Sequence, residues 1–459
     1  MKKKIGLILF FIFYLLVILL RLANHFPWFD ETHAWIIAQE VPLKDLLSVI
    51  RIEGHPFLWF IMLMPFAKAG ILYPYAMYFL NTIFLLLAIG ILWKKSNFTT
   101  ITKILITLSY PFFALYPIIA RNYSIGIFLL FLLTAFFKEK FKHSILYTIC
   151  ILLCLNSSVM AFFGATAFSI LFILDYFREK AEIKNFSIPF FNIILGYFLI
   201  FIQFFNKSTA VSVGLNSNKN ILENLFIQNS LDINMGLLLI FGTLTFYYLL
   251  KNKEKLSSFY LCFTYICLTL CFVFIYPAGI WHSYFYYIYF IITLWLSKPS
   301  KFRTILLCIV SFLLIFNYPN AELSKYLYGC KGKLILNTIL EDSTLKNAHI
   351  IHNNGTVYTI VPYEKKYNLD ISNYCNNPKG NYDLTTIKTS NKFCKHDDGI
   401  SEAQARPERF AKQIKDNTVM ITTDRYKANK YILSDSKNHI YIEKYKCKYD
   451  FCYWKVIKF

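Results

Sequence analysis

The sequence predicts a polytopic α-helical membrane protein of about eleven transmembrane helices, carrying a small mixed α/β extracytoplasmic domain at its carboxyl end. Three observations carry that expectation. The 459 residues are 56% hydrophobic and 19% aromatic but only 16% charged, where soluble domains average about 25%. Apolar runs of 15 to 20 residues recur between short charged clusters as far as residue 320, close to the roughly 20 needed to cross a bilayer core. Beyond that point the chain turns polar, rich in Asn, Lys, Tyr and Asp, and stays so to residue 459.

The opening MKKKIGLILFFIFYLLVILLRL has the charge and apolar core of a signal peptide, but no small-residue cleavage site follows it. It reads as a retained first span over 5–22. Ten more spans are expected at 71–93, 101–119, 122–137, 144–157, 159–175, 187–206, 234–250, 258–276, 283–297 and 304–318. Within the first outer loop, residues 23–70, the stretches 34–50 and 57–69 are apolar but short and carry Pro42, Lys44, Asp45, Pro65 and Lys68. They read as two helices lying in the interface plane.

Charge placement supports this layout. Alternate connections carry three cations each: Lys2, Lys3 and Lys4; Lys94, Lys95 and Lys103; Lys138, Lys140 and Lys142; Arg178, Lys180 and Lys184; Lys251, Lys253 and Lys255; Lys298, Lys301 and Arg303. The opposite side, before the tail, has seven cations balanced by seven acids. The positive-inside rule then puts the amino terminus in the cytoplasm and the tail outside. Topology also accounts for most of the net charge of +21. No nucleic-acid motif accompanies that charge, so nucleic acid is not an expected partner.

The first 320 residues form one expected domain and 321–459 a second. In the tail, ILNTILEDSTLKNAHIIHNN reads as a helix feeding a short strand, and TVYTIVPYEKKYN as a strand and turn. Residues 431–445 and 452–459 alternate as paired strands do, and 376–400 is a turn-rich loop. Five of the eleven cysteines lie here: Cys330, Cys375, Cys394, Cys447 and Cys452. An exported location permits disulfides. Cys447 and Cys452 are spaced to staple a hairpin, but connectivity is not deducible from the sequence.

The residues with chemical potential fall on one expected side. Asp30 and Glu31 follow the first span within FPWFDETHAWIIAQEVPLKDLLSVIRIEGHP, residues 26–56, which also holds His33, Glu53 and His55. Arg121 and Tyr123 sit where the third span turns into the fourth, and Trp281 and His282 in the short turn before the tenth. Ionisable groups at membrane depth are costly and line cavities or pathways. Carboxylates, imidazoles and a guanidinium gathered there suit a reaction with a base and an anionic leaving group. Plainer roles stand beside this one. Asp30 or Thr32 suits the N-cap of a helix starting near His33, and Glu53 and His55 suit a solvated Gly54–Pro56 turn. Arg121 suits a snorkel to phosphate headgroups, and Trp281 with His282 an aromatic belt.

Three short motifs in order carry a resemblance: F-D-E at 29–31 after a retained span, E-x-H-P at 53–56 before an interfacial helix, and the R-x-Y of ARNYSIGIFLLFLLTAFF at 120–137. Together they resemble the GT-C membrane glycosyltransferases, nearest in pattern to the protein O-mannosyltransferases and the lipid A aminoarabinose transferases. The resemblance covers roughly residues 1–320, and the start of the tail is similar to that of bacterial members with a small exported domain. The chain departs from the commoner pattern in having one Pro after His55, with Phe57 in the second place.

The resemblance implies a polyprenyl-phosphate-linked sugar as donor and a glycan, lipid or protein acceptor at the outer face. Asp30 would be the general base on the acceptor hydroxyl, and Glu31 would orient the acceptor or support Asp30. Arg121, with Tyr123 and His55, would bind the donor phosphate, where a guanidinium offers a planar fork of donors. Glu53 and His55 would instead supply part of a ligand set for a divalent ion, Mg, Mn or Zn. Trp281 and His282 would line the substrate pocket. Competing readings are a transporter or flippase of a lipid-linked or small polar substrate, a related glycan polymerase or ligase, and an exported interaction domain on a passive anchor. Against transport, the sequence has no internal repeat and almost no charge in mid-span. Against the anchor, eleven spans far exceed what anchoring requires.

Overall fold

The structure is a computed structural model that describes residues 2–70, 73–179, 187–204, 233–275, 279–316, 330–352, 359–373, 414–423, 430–434, 439–448 and 451–458. It forms two compact units: Met1–Ala23, Leu43–Pro65 and Tyr75–Ala321 make the first, and Asn24–Pro42, Phe66–Pro74 and Glu322–Phe459 the second. The second unit takes in two pieces of the first loop, where the sequence suggests domains of 1–320 and 321–459.

The first unit is helical. Among the described residues, five helices are long and apolar enough to cross a membrane: Ile5–Asn24, Tyr75–Lys95, Val159–Arg178, Ser187–Phe204 and Lys255–Phe274. Their outward faces are apolar, with Ile8, Leu9, Phe13, Leu16 and Leu20 exposed on the first and Phe191, Ile194, Phe198 and Phe201 on the fourth. Apolar surface of that extent belongs against lipid, not water. The other six expected spans form helices of nine to 19 residues: Thr100–Leu108, Tyr123–Ala135, Ser144–Leu155, Ile233–Lys251, Phe285–Leu296 and Lys301–Phe316. At 1.5 Å per residue, 12 or 13 residues cover about 20 Å, short of a hydrocarbon core of about 30 Å. Ile233–Lys251, at 19 residues, covers about 28 Å, so the described residues give five helices with the length and hydropathy of a crossing and a sixth near it, where the sequence suggests eleven.

The expected span 101–119 shows why. Helix Thr100–Leu108 stops at Ser109, and a π-type turn follows over Pro111–Leu115. Pro111 brings no N–H and its ring excludes the preceding carbonyl. The break releases carbonyls that water cannot reach, so side chains from other helices donate to them. Tyr14 Oη donates to the Phe112 carbonyl, Arg21 to that of Phe113, and Asn81 Nδ2 to those of Tyr116 and Pro117. Small residues set close helix approaches: a Cβ on Gly196 would stand 3.2 Å from the Leu152 Cα, and one on Gly164 2.6 Å from Leu130 Cδ2.

The first interfacial helix, expected as one piece over 34–50, is two. Helix Phe29–Glu40 ends at Val41, which is extended (φ −82°, ψ 124°) as the residue before a proline tends to be. A single 3₁₀ turn, Leu43–Asp45, then leads into helix Leu46–Glu53. The second interfacial helix runs Leu58–Lys68, close to expectation.

In the second unit, helix Cys330–Glu341 and a short turn Ser343–Lys346 precede a six-stranded mixed sheet. Its strands are β1 (His349–His352), β2 (Asp370–Asn373), β3 (Thr418–Thr423), β4 (Lys430–Ser434), β5 (His439–Lys448) and β6 (Phe451–Lys458), in the order β2-β1-β3-β6-β5-β4. β2, β1 and β3 are parallel, and β3, β6, β5 and β4 are antiparallel neighbours. Ile350, Ile351, Val419, Ile421, Tyr453 and Trp454 are buried in its core with Ile339 and Leu345. The expected strand in TVYTIVPYEKKYN is absent from its described part, which forms a 3₁₀ turn at Val361–Tyr363 and a helical turn at Glu364–Tyr367. Pro362 removes a ladder donor and suits the first turn of a helix. The expected strand 431–445 is a hairpin, β4 and β5. The loop 376–400 lies outside the described residues. Cys452 is disulfide-bonded, and the register sets Cys447 directly opposite it.

Candidate functional site

Asp30 and Glu31 begin helix Phe29–Glu40, in the second unit. The N-cap is Trp28, so neither Asp30 nor Thr32 caps the helix. Glu31 caps it from the third helical position: Trp28 N–H donates to Glu31 Oε2 at 3.0 Å, the reciprocal half of a capping box. His25 Nε2 donates to the same oxygen at 2.8 Å, and both side chains are fully buried, at 0% exposure. Glu31 is thereby committed to the helix start. Asp30, one residue earlier, is half-buried in the same turn, where the helix dipole favours a carboxylate. Thr32 Oγ1 shares a hydrogen bond of 2.7 Å with Tyr73 Oη. At the other end, Lys68 Nζ donates to the Val41 carbonyl at 2.8 Å. His33 is buried and stacks on Phe29.

Arg121, Tyr123, Trp281 and His282, in the first unit, come together from two segments some 160 residues apart. The irregular stretch after Pro111 delivers Tyr116, Arg121 and Tyr123, and the short helix Ile280–Ser283 delivers Trp281 and His282. Tyr116 Oη donates to the Trp281 carbonyl at 2.9 Å, tying the segments. Tyr123 packs edge-on against His282, and Phe285 packs edge-on against Tyr116 and Tyr123. Arg121 is 5% exposed.

The protonation of this cluster follows from its hydrogen bonds. Gly279 N–H donates to His282 Nδ1 at 3.0 Å, so that nitrogen is an acceptor. Burial first, and the Arg121 guanidinium second, push the His282 imidazolium down to about 3, so the ring is neutral near pH 7. A neutral imidazole carries one proton, which must therefore sit on Nε2. Nε2–H donates to Tyr123 Oη at 2.9 Å. The phenol oxygen is the acceptor in that pair, so Tyr123 turns its hydroxyl proton away from His282. A buried guanidinium and a phenol oriented as a donor are groups suited to an oxyanion.

Glu53 and His55, in the same unit, flank Gly54, which closes helix Leu46–Glu53 in the left-handed conformation at φ 70°. Glu53 is buried and His55 half-buried. The turn is fastened to two helix ends: Arg51 Nε donates to the Ile202 carbonyl, Phe57 N–H to Gln203 Oε1 and Leu58 N–H to the Asn156 carbonyl. Among the described residues no group of three or more His, Cys, Asp or Glu side chains converges as a metal site would require, so Glu53 and His55 stand as two donors.

Two residues with functional weight escape a sequence reading. His25 lies six positions before Glu31, beyond local helical spacing, and its hydrogen bond forms across the irregular stretch 25–28 between two helices. Gly279 acts through its backbone, which no side-chain motif announces. Comparison with known proteins finds no matching family model, curated protein or solved structure, so any functional assignment rests on the residues just described.

Proposed function

We propose that this chain is a membrane glycosyltransferase of GT-C-like, roughly eleven-span architecture. It moves a sugar from a polyprenyl-phosphate donor to an acceptor hydroxyl on the outer face of the cytoplasmic membrane, with inversion. The observation that carries this reading is the buried Arg121 guanidinium, whose charge acts on a neutral His282 that orients the Tyr123 phenol. Asp30 takes the acceptor proton, and the freed oxygen attacks the anomeric carbon. The bond to the lipid phosphate breaks as the new one forms, and Arg121 and Tyr123 offset the charge that grows on the departing phosphate. Glu31 holds the helix start on which Asp30 stands. A divalent ion at Glu53 and His55 would add Lewis-acid charge at the phosphate. The disulfide at Cys452 supports an exported tail.

The test is transfer by purified protein from a lipid-phosphate sugar, comparing wild type with Asp30→Asn at equal protein level and insertion. Abolished transfer is expected in the variant, and full retained activity would remove the mechanism. One observation favours a second reading, a transporter or flippase: the helix interrupted at Pro111, since broken helices often build transport sites. Transfer in detergent, where no compartments exist, separates the two.

A further inference from the structure

We propose that Tyr363, in the carboxyl-terminal unit, is a positioning residue that clamps the helix bearing Asp30 through Phe26 and Tyr73. What the clamp is for rests on the reading of Asp30 as the base; the clamp itself does not. Tyr363 is held at the end of the 3₁₀ turn Val361–Tyr363, where its N–H donates to the Ile360 carbonyl at 2.9 Å. Its ring stacks on Phe26 at 5.7 Å between centroids and meets Tyr73 edge-on at 5.2 Å. Both geometries are favoured for aromatic pairs.

Each partner is one step from the acidic helix. Phe26 follows His25, whose Nε2 grips Glu31. Tyr73 shares a hydrogen bond with Thr32 and packs against Trp35 at 5.4 Å. Glu31, Thr32 and Trp35 all belong to Phe29–Glu40, so one ring of the tail braces that helix on two sides. A second tail segment presses on the same place: a Cβ on Gly332 would lie 2.8 Å from the Phe26 ring and 2.3 Å from Thr359 Oγ1. A domain serving solely to bind an acceptor has no need to fill the space around Phe26 and Tyr73. A domain that fixes where a base points does.

Hydrogen exchange read by mass spectrometry on the full chain in nanodiscs tests this without relying on catalysis. Tyr363→Ala is expected to speed exchange of amides in 29–40 by about tenfold, since two ring contacts are lost. Tyr363→Phe, which keeps the ring, stays within about threefold of wild type, and helix Ser144–Leu155 is unchanged in both. If Tyr363→Ala instead loosens the whole sheet, Phe26→Leu decides, because it alters the clamp from the loop side. Faster exchange in 29–40 with β1 and β3 still protected supports the clamp, and unchanged exchange there overturns it. In a transfer assay the clamp lowers kcat with little change in KM for Tyr363→Ala. If the wild type transfers no sugar, the role of Asp30 falls while the exchange result still decides the clamp.

Discussion

Replacing Glu31 separates two adjacent acids that the sequence presents as a pair. Its carboxylate accepts from His25 Nε2 and Trp28 N–H in a fully buried site. Glu31→Ala strands both donors in a place water does not reach. Leaving buried donors unsatisfied costs about 1–3 kcal/mol each, a drop in Tm on the order of 10 °C for a domain of this size. Glu31→Gln keeps an oxygen that accepts from both donors and loses the charge assistance, so its cost is smaller, about 1–2 kcal/mol. Asp30→Asn, at a half-buried position in the same turn, is expected to leave stability within about 0.5 kcal/mol of wild type and to abolish transfer. The assay is tryptophan-fluorescence melting of the detergent-solubilised chain, paired with transfer from a lipid-phosphate sugar. Refutation is the inverse pattern: Glu31→Gln inactive with an unshifted melt, or Asp30→Asn active with a large loss of stability. Either result would mean that the two acids have been given each other's roles.

Two further predictions follow from the charge states. His282, held down to about 3, does not titrate between pH 5 and 8, so the kcat/KM profile should carry no limb of its own there. His282→Ala should lower kcat/KM about tenfold by freeing the Tyr123 hydroxyl to rotate, while His282→Gln, whose amide N–H replaces the lost donor, stays within about threefold. The second concerns acid stability of the tail. For Asp342, partial burial raises the carboxyl, but hydrogen bonds from Lys446 and Leu345 N–H outweigh it and hold its pKa below the usual value. Partial burial likewise raises Asp370, and Lys415 and His349 outweigh it. Groups depressed in the folded state contribute fully above the unfolded carboxylate pKa of about 3.9 and lose that contribution as pH falls through the lower folded values. Exchange protection of β1 and β3 should therefore fall below about pH 4, and an Asp342→Asn, Asp370→Asn double variant should fall less; parallel curves would contradict this.

How much was legible varied with the range of the interaction involved. Long apolar runs announce themselves, and the five long helices fall where they were expected. The interruption after Leu108 was hidden because the run 101–119 stays apolar through Pro111 and Pro117, and composition does not weigh a missing N–H. Strands β2 and β3 went unread for a related reason: they are four and six residues long, and pattern is faint at that length. The sequence reading put Asp30, Glu31, Glu53, His55, Arg121, Tyr123, Trp281 and His282 on one side, and within the first unit Tyr123 and Trp281 pack on His282. What no sequence shows is the tautomer, which depends on a backbone N–H three residues before the histidine.

Neighbouring acids are often expected to share a task, and helical geometry argues against that here. Successive residues on a helix with 3.6 residues per turn point about 100° apart. Asp30 and Glu31 therefore leave the helix in different directions and meet different surroundings. Glu31 takes the inward direction because its longer side chain, three residues into the helix, reaches back to Trp28 N–H and His25. An acid sealed against His25 cannot receive an acceptor's proton without first giving up that hydrogen bond, whereas Asp30 keeps part of its surface open. The buried role of Glu31 thus comes from the helix start itself, and it would hold for any chemistry assigned to Asp30.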